Sequence, residues 1–200
     1  LYATLPYDPA KDFTPISPIA SSPFYLIAGP NTPAATVQEL VALAKAKPKS
    51  LSFASAGNGT VPHLAGEFFK LRAGVELVHV PYKGGGPAII DLVGGQTQLM
   101  FATPVEVAQQ IAAGRLKVLA ATSPERIPAY ANAPTLQESG LRDYDIRSWF
   151  GVLAPAGTPP DIVATLANEF AAVVQLPEIQ SRFAAQGAQG ALELIVPVCE

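Results

Sequence analysis

The segment Phe53-Ala54-Ser55-Ala56-Gly57-Asn58-Gly59-Thr60-Val61-Pro62-His63 passes from an apolar run through two glycines into a helical pattern. Leu51 to Ser55 has the length and composition of a buried strand. Thr60 then stands as an N-cap with Pro62 in the first turn, and Leu64, Phe68 and Leu71 recur on one helical face. A strand that ends where a helix begins aims free backbone N–H groups and the positive end of the helix dipole at the turn, which suits a carboxylate or phosphate. Gly57 and Gly59 let the backbone approach a ligand, and Ser55, Asn58 and Thr60 add neutral hydrogen-bonding groups. An empty, well-capped turn has the same composition, so the segment alone leaves both readings open.

Outward from this turn the chain alternates strands and helices. Phe24 to Ala28 reads as a buried strand, and Thr36-Val37-Gln38-Glu39 is a capping-box pattern opening a helix to about Ala46. Leu77 to Val80, Gln98 to Ala102 and Val118 to Ala121 read as strands, with a short helix over Pro87 to Val93. Thr103-Pro104-Val105-Glu106 repeats the capping box and starts a helix that stops at Gly114. A proline-rich loop with a short helix near Thr135 to Ser139 precedes a strand from Ile146 to Leu153. Helices follow from about Pro159 to Val174 and from Pro177 to Gly187. This order predicts an α/β fold with a mainly parallel sheet. FYLIAGPNTPAATVQELVALAK and FGVLAPAGTPPDIVATLANEF share strand, Gly/Pro turn, Thr-Pro and helix, as two passages into separate lobes would and as two ordinary βα units equally would.

Composition excludes several function classes. The 200 residues are 49% hydrophobic with a formal net charge of -3, so the chain lacks the basic footprint that nucleic-acid binding requires. No apolar stretch reaches the ~18 uncharged residues of a membrane span, because Pro, Gly, Lys or Asp interrupts every candidate. Cys199 is the single cysteine, and with His63 and His79 the only histidines there is no metal-ligand set and no cofactor motif. Phe53 occupies the position where a nucleophile elbow around Ser55 needs a small residue, and no Gly-Lys-Ser or Gly-Lys-Thr marks a phosphate loop.

Other strand-to-helix junctions are weaker candidates. Pro81-Tyr82-Lys83-Gly84-Gly85-Gly86-Pro87 is a second glycine-rich turn, where Lys83 reads as a surface lysine. Phe101, Ala102 and Thr103 form a third junction, at the same edge of a parallel sheet as the Ser55 turn. Trp149, the only tryptophan, lies in Ser148-Trp149-Phe150-Gly151 at the second expected passage between lobes. His79, in an apolar strand, reads as structural.

Taken together, FTPISPIASSPFYLIAGPNTPA, LSFASAGNGTVPHLAGEFFK, HVPYKGGGPAIIDLVGGQ, AAGRLKVLAATSPERIPA, APTLQESG and SWFGVLAPAGTPPDIVATLANEF resemble the Bug-type solute receptors of tripartite tricarboxylate transporters over roughly residues 1 to 188. The resemblance implies a periplasmic binding protein of two α/β lobes that closes on small organic acids or acidic amino acids and serves membrane transporter subunits. It makes Ser55, Ala56, Gly57, Asn58, Gly59, Thr60 and His63 the ligand-binding turn, puts Phe101, Ala102 and Thr103 beside the ligand, and adds Trp149 at the return to the first lobe. Residues 22–145 are then the complete ligand-binding lobe. Residues 1–21 and 146–200 supply crossover strands and part of the other lobe, whose N-terminal part and usual C-terminus are missing. Apolar surface left uncovered would favour homo-oligomers. The competing readings are an α/β hydrolase using Ser55 and His63, and a fragment that folds without binding.

Overall fold

The computed structural model describes residues 5–191, so Cys199 and the apolar tail after Ala191 lie outside the described residues. Two compact units emerge, 23–147 and, from the two ends of the chain, 1–22 with 148–200.

The central unit holds a five-stranded sheet in the order β4-β3-β5-β2-β6. Its strands are β2 (Tyr25–Ala28), β3 (Ser52–Ser55), β4 (Val78–Pro81), β5 (Leu99–Ala102) and β6 (Lys117–Ala121). β3 runs parallel to β4 and β5, whereas β2 is antiparallel to both β5 and β6. The sheet is therefore mixed, with β2 opposing the other four strands. Hydrophobic periodicity carries no strand direction, which is why β2's reversal is invisible in sequence. Ser55, Pro81 and Ala102 consequently end their strands at one edge of the sheet.

Both faces are covered, which explains the near-continuous apolar strands. Leu26, Phe53, Leu99, Phe101 and Leu119 face one core together with α1 (Val37–Ala46) and α2 (Val61–Ala73). Tyr25, Ile27, Ala54, Met100 and Ala102 face the other, with α3 (Gly85–Val93) and α4 (Pro104–Ala112). This is the strand alternation of period two. Burying a ring such as Phe53 stabilises the fold by about 2 kcal/mol. Gly66 of α2 lies directly over Phe53, where a β-carbon would overlap the ring. Tyr144, fully buried, donates its hydroxyl to the Ala65 carbonyl at 2.7 Å and ties the end of this unit to α2.

Thr135 to Ser139 forms one turn rather than the expected helix. Thr135 and Glu138 close it reciprocally, through Thr135 N–H to Glu138 Oε2 at 2.7 Å and Glu138 N–H to Thr135 Oγ1 at 3.0 Å. Gly140 follows with φ +101 and prevents propagation. A 3-10 turn at Pro128–Tyr130 stands in the preceding loop instead.

The second unit contains β1 (Phe13–Pro23), β7 (Arg147–Pro155) and β8 (Gln189–Gly190) in the order β7-β1-β8, with α5 (Pro160–Val174) and α6 (Pro177–Ala185). β8 pairs only with Ala20 and Ser21, so Pro15 and Pro18 fall where β1 lacks a neighbour on that side. The two similar segments of the sequence lie in different units, as β2-α1 and β7-α5. Among the described residues no single helix is long and apolar enough to cross a membrane.

Candidate functional site

The site begins with Ser55, the last residue of β3, which is fully buried. Its Oγ lies 2.7 Å from Nε2 of His79 and accepts the Gly57 N–H at 3.1 Å. Phe53 pairs with His79 across the parallel β3-β4 ladder, so Ser55 and His79 meet diagonally on one face. Next come Gly57 at φ +134 and Gly59 at φ +79, conformations that side chains disfavour. Thr60, the N-cap of α2, donates its hydroxyl to the Gly57 carbonyl at 2.7 Å instead of capping its own helix. Gly59 donates its N–H to Nδ1 of His63 at 3.0 Å. The turn is tied sideways to β4 by Tyr82 N–H to Ser55 O at 3.0 Å and Gly84 N–H to Ala56 O at 3.1 Å.

This arrangement leaves the amides of Asn58, Val61 and His63 without a partner among the described residues. No acidic side chain stands in the first turn of α2. α1, which starts at the opposite edge of the sheet, and α4, which starts at this one, are capped instead. In α1, Thr36 Oγ1 accepts the Glu39 N–H at 3.2 Å and Glu39 returns to the Ala35 N–H at 2.7 Å. At α4, Glu106 Oε2 takes both the N–H and the hydroxyl of Thr103, at 2.8 and 2.6 Å. Its Oε1 sits 2.7 Å from where a β-carbon on Gly85 would stand, so the same carboxylate also reaches the start of α3. The start of α3 at this edge likewise lacks a side-chain cap hydrogen bond and an acidic first turn, so an anion arriving here finds the starts of both α2 and α3 uncapped.

Beneath the turn, three rings stack. Phe53 and His79 have centroids 4.8 Å apart, and His79 and His63 have centroids 4.1 Å apart at 18°. Burial is the main force pushing the His79 pKa below its ordinary 6.5; His63 adds to it, Glu67 opposes it and Lys70 adds weakly.

The residues singled out from sequence thus play different parts. Asn58 is exposed, and Ala56, Gly57, Gly59, Thr60 and His63 are half-buried around the open amides. Ser55 turns its hydroxyl inward, so it shapes the turn rather than facing a ligand. Phe101 and Ala102 are buried in the two cores, leaving only backbone to offer, and Thr103 is engaged by Glu106. Trp149 is exposed and belongs to the other unit. Sequence reasoning missed the Val61 amide, the partnership of Ser55 with His79, and the reach of Glu106. The hydrolase alternative pairs Ser55 with the wrong histidine, since its partner is His79, and at 0% exposure its Oγ has no access to a substrate carbonyl.

A groove of ≈1110 Å³ opens at the opposite edge of the sheet, between Gly29, Thr36, Lys117 and Arg126. None of the candidate ligand residues lines it, and Arg126 is paired there with Glu138 at 2.9 Å. No cluster of three metal-ligating side chains occurs among the described residues.

The family model described as tripartite tricarboxylate transporter family receptor matches residues 1–191. Protein BugT of Bordetella pertussis is 34% identical over 188 residues, covering 94% of this chain and 58% of BugT. Among solved structures, R. palustris Rpa4515 with adipate superposes with a TM-score of 0.86 at 35% identity, over 96% of this chain and 64% of that one. MatC from Rhodopseudomonas palustris, with bound malate, does so with a TM-score of 0.80 at 30% identity, over 94% and 64%. The chain spans about half the length of the curated relatives it matches. Its fold is that of periplasmic solute-binding receptors. With a family model matched along nearly its whole length and relatives above 30% identity, the chain belongs to the tripartite tricarboxylate transporter receptor family.

Proposed function

We propose that the chain is the ligand-holding part of a periplasmic solute receptor that binds a small organic acid and presents it to the membrane subunits of a tripartite transporter. In this reading residues 22–145 form the complete ligand-binding lobe. One carboxylate rests on the open amides of Asn58, Val61 and His63, with the Asn58 and Thr60 side chains beside it.

The observation that carries this reading is the run of unpartnered amides at Asn58, Val61 and His63 on the uncapped, acid-free start of α2, where α4 at the same edge is closed by Glu106. Amides and a helix dipole stabilise a carboxylate without a counter-cation. Adipate and malate, present in the two structural neighbours, are acids of this kind. An ammonium group would need acceptors instead, and Glu106 at this edge already gives Oε2 to two donors. The acid is therefore a di- or tricarboxylate rather than an amino acid. Ser55, buried and bonded to His79, performs no chemistry on it.

Val61→Pro tests the site, because proline is tolerated in a first helical turn and Thr60 already has the extended ψ of 159 that a following proline demands. The variant removes one amide N–H. Calorimetry should show adipate or malate binding weakened about tenfold, as for one charge-assisted hydrogen bond. Undiminished binding would place the anion elsewhere.

A further inference from the structure

We propose that His63 and His79 are positioning residues which hold the anion-binding turn open only while the stacked pair is uncharged, so that acid releases the bound carboxylate. This rests on the ligand site proposed above and adds a control to it.

Three geometric facts carry the inference. Gly59 N–H points at Nδ1 of His63, 3.0 Å away, so that nitrogen must present a lone pair. A ring protonated there would set donor against donor, and the Gly59 amide would swing out of the turn. Second, the Ser55 hydroxyl lies 2.7 Å from His79 Nε2 and 3.2 Å from the Gly57 carbonyl while accepting the Gly57 N–H, so it couples the His79 ring directly to the turn. Third, the two imidazoles lie face to face at 4.1 Å, where two positive rings would repel.

The other charged groups facing His79 are Glu67 and Lys70 of α2, and they are spent on each other at 2.8 Å. β3 contributes only Phe53 and Ser55 to this face. Lowering of the His79 pKa by burial agrees with this ring being uncharged near pH 7.

Asparagine provides the decisive variant, because its Oδ1 occupies the place of histidine Nδ1, accepts the Gly59 N–H and does not titrate. Glutamine places its acceptor further out and cannot. Adipate binding to the full chain would be measured by calorimetry between pH 8 and pH 5.5 for wild type, His63→Asn and His63→Gln. Wild-type affinity should fall by about tenfold relative to His63→Asn over that range, the loss expected from one linked proton. His63→Gln should bind weakly at every pH. Acid-strengthened binding in wild type, or parallel profiles for wild type and His63→Asn, would overturn the inference.

Should no variant bind adipate or malate at any pH, the proposed function fails instead. The inference is then decided by the Gly59 amide in nuclear magnetic resonance spectra. Its resonance should shift, and its protection relative to the intrinsic exchange rate at each pH should fall in acid, for wild type but not for His63→Asn, and identical behaviour in both contradicts it.

Discussion

The Ser55 hydroxyl meets His79 Nε2 at 2.7 Å while accepting the Gly57 N–H at 3.1 Å, so one buried group ties the turn to the adjacent parallel strand β4. Ser55→Ala leaves His79 Nε2 and the Gly57 N–H without this partner in a buried setting. A loss of about 1–3 kcal/mol in stability should follow, read by urea denaturation. Unchanged stability would mean that the hydroxyl does not tie the strands.

Gly66 offers a sharper test of packing. A methyl group there overlaps the Phe53 ring, which is itself held between α2 and the His79 stack. Gly66→Ala should destabilise the chain by about 1–3 kcal/mol despite alanine's better helix propensity. A more stable variant would show that α2 does not sit this close to β3.

The His79 shift sets the sign of a pH effect. Its pKa in the folded chain is lowered from 6.5, so the unfolded chain takes up the proton first as pH falls. The stabilisation is complete above about pH 6.5 and is lost as the pH falls toward the lowered folded value. His79→Phe keeps the stack on Phe53 and should flatten the melting temperature between pH 5 and 7. An equally steep profile in the variant would assign the effect to other groups.

Exposed apolar side chains gather in the unit formed by the chain ends. Trp149, Phe150 and Leu153 of β7 and Ile162, Leu166 and Val173 of α5 are all open to solvent, and of α5 only Val174 is buried. The 200-residue chain should therefore self-associate, and Ile162→Glu with Leu166→Glu should shift it toward monomer in light scattering. A clean monomer of the unsubstituted chain at high concentration would contradict this.

Legibility in the sequence followed the physics of each element. The capping boxes at Thr36 and Thr103 and the glycine turn at 57–59 announced α1, α4 and α2, because caps and turns are written in local side-chain chemistry. For β1 only the family resemblance called for a crossover strand in residues 1–21, because Pro15 and Pro18 argue locally against one and are tolerated where β8 does not pair with it. The Ser55 turn stood out in sequence, but its inward hydroxyl did not. Its partner lies 24 residues away and becomes a neighbour only through the β3-β4 register. The reach of Glu106 toward Gly85 depends in the same way on how helix starts line up along a sheet edge.

The central claim, that the α2 turn receives a carboxylate, is tested most directly by calorimetric titration of the chain with adipate, malate and the uncharged diol 1,6-hexanediol at pH 7.5. The account predicts saturable one-to-one binding of a dicarboxylate, weakened by Val61→Pro, and no heat from the diol. Binding of the diol as tight as that of adipate, or dicarboxylate binding indifferent to Val61→Pro, would contradict it.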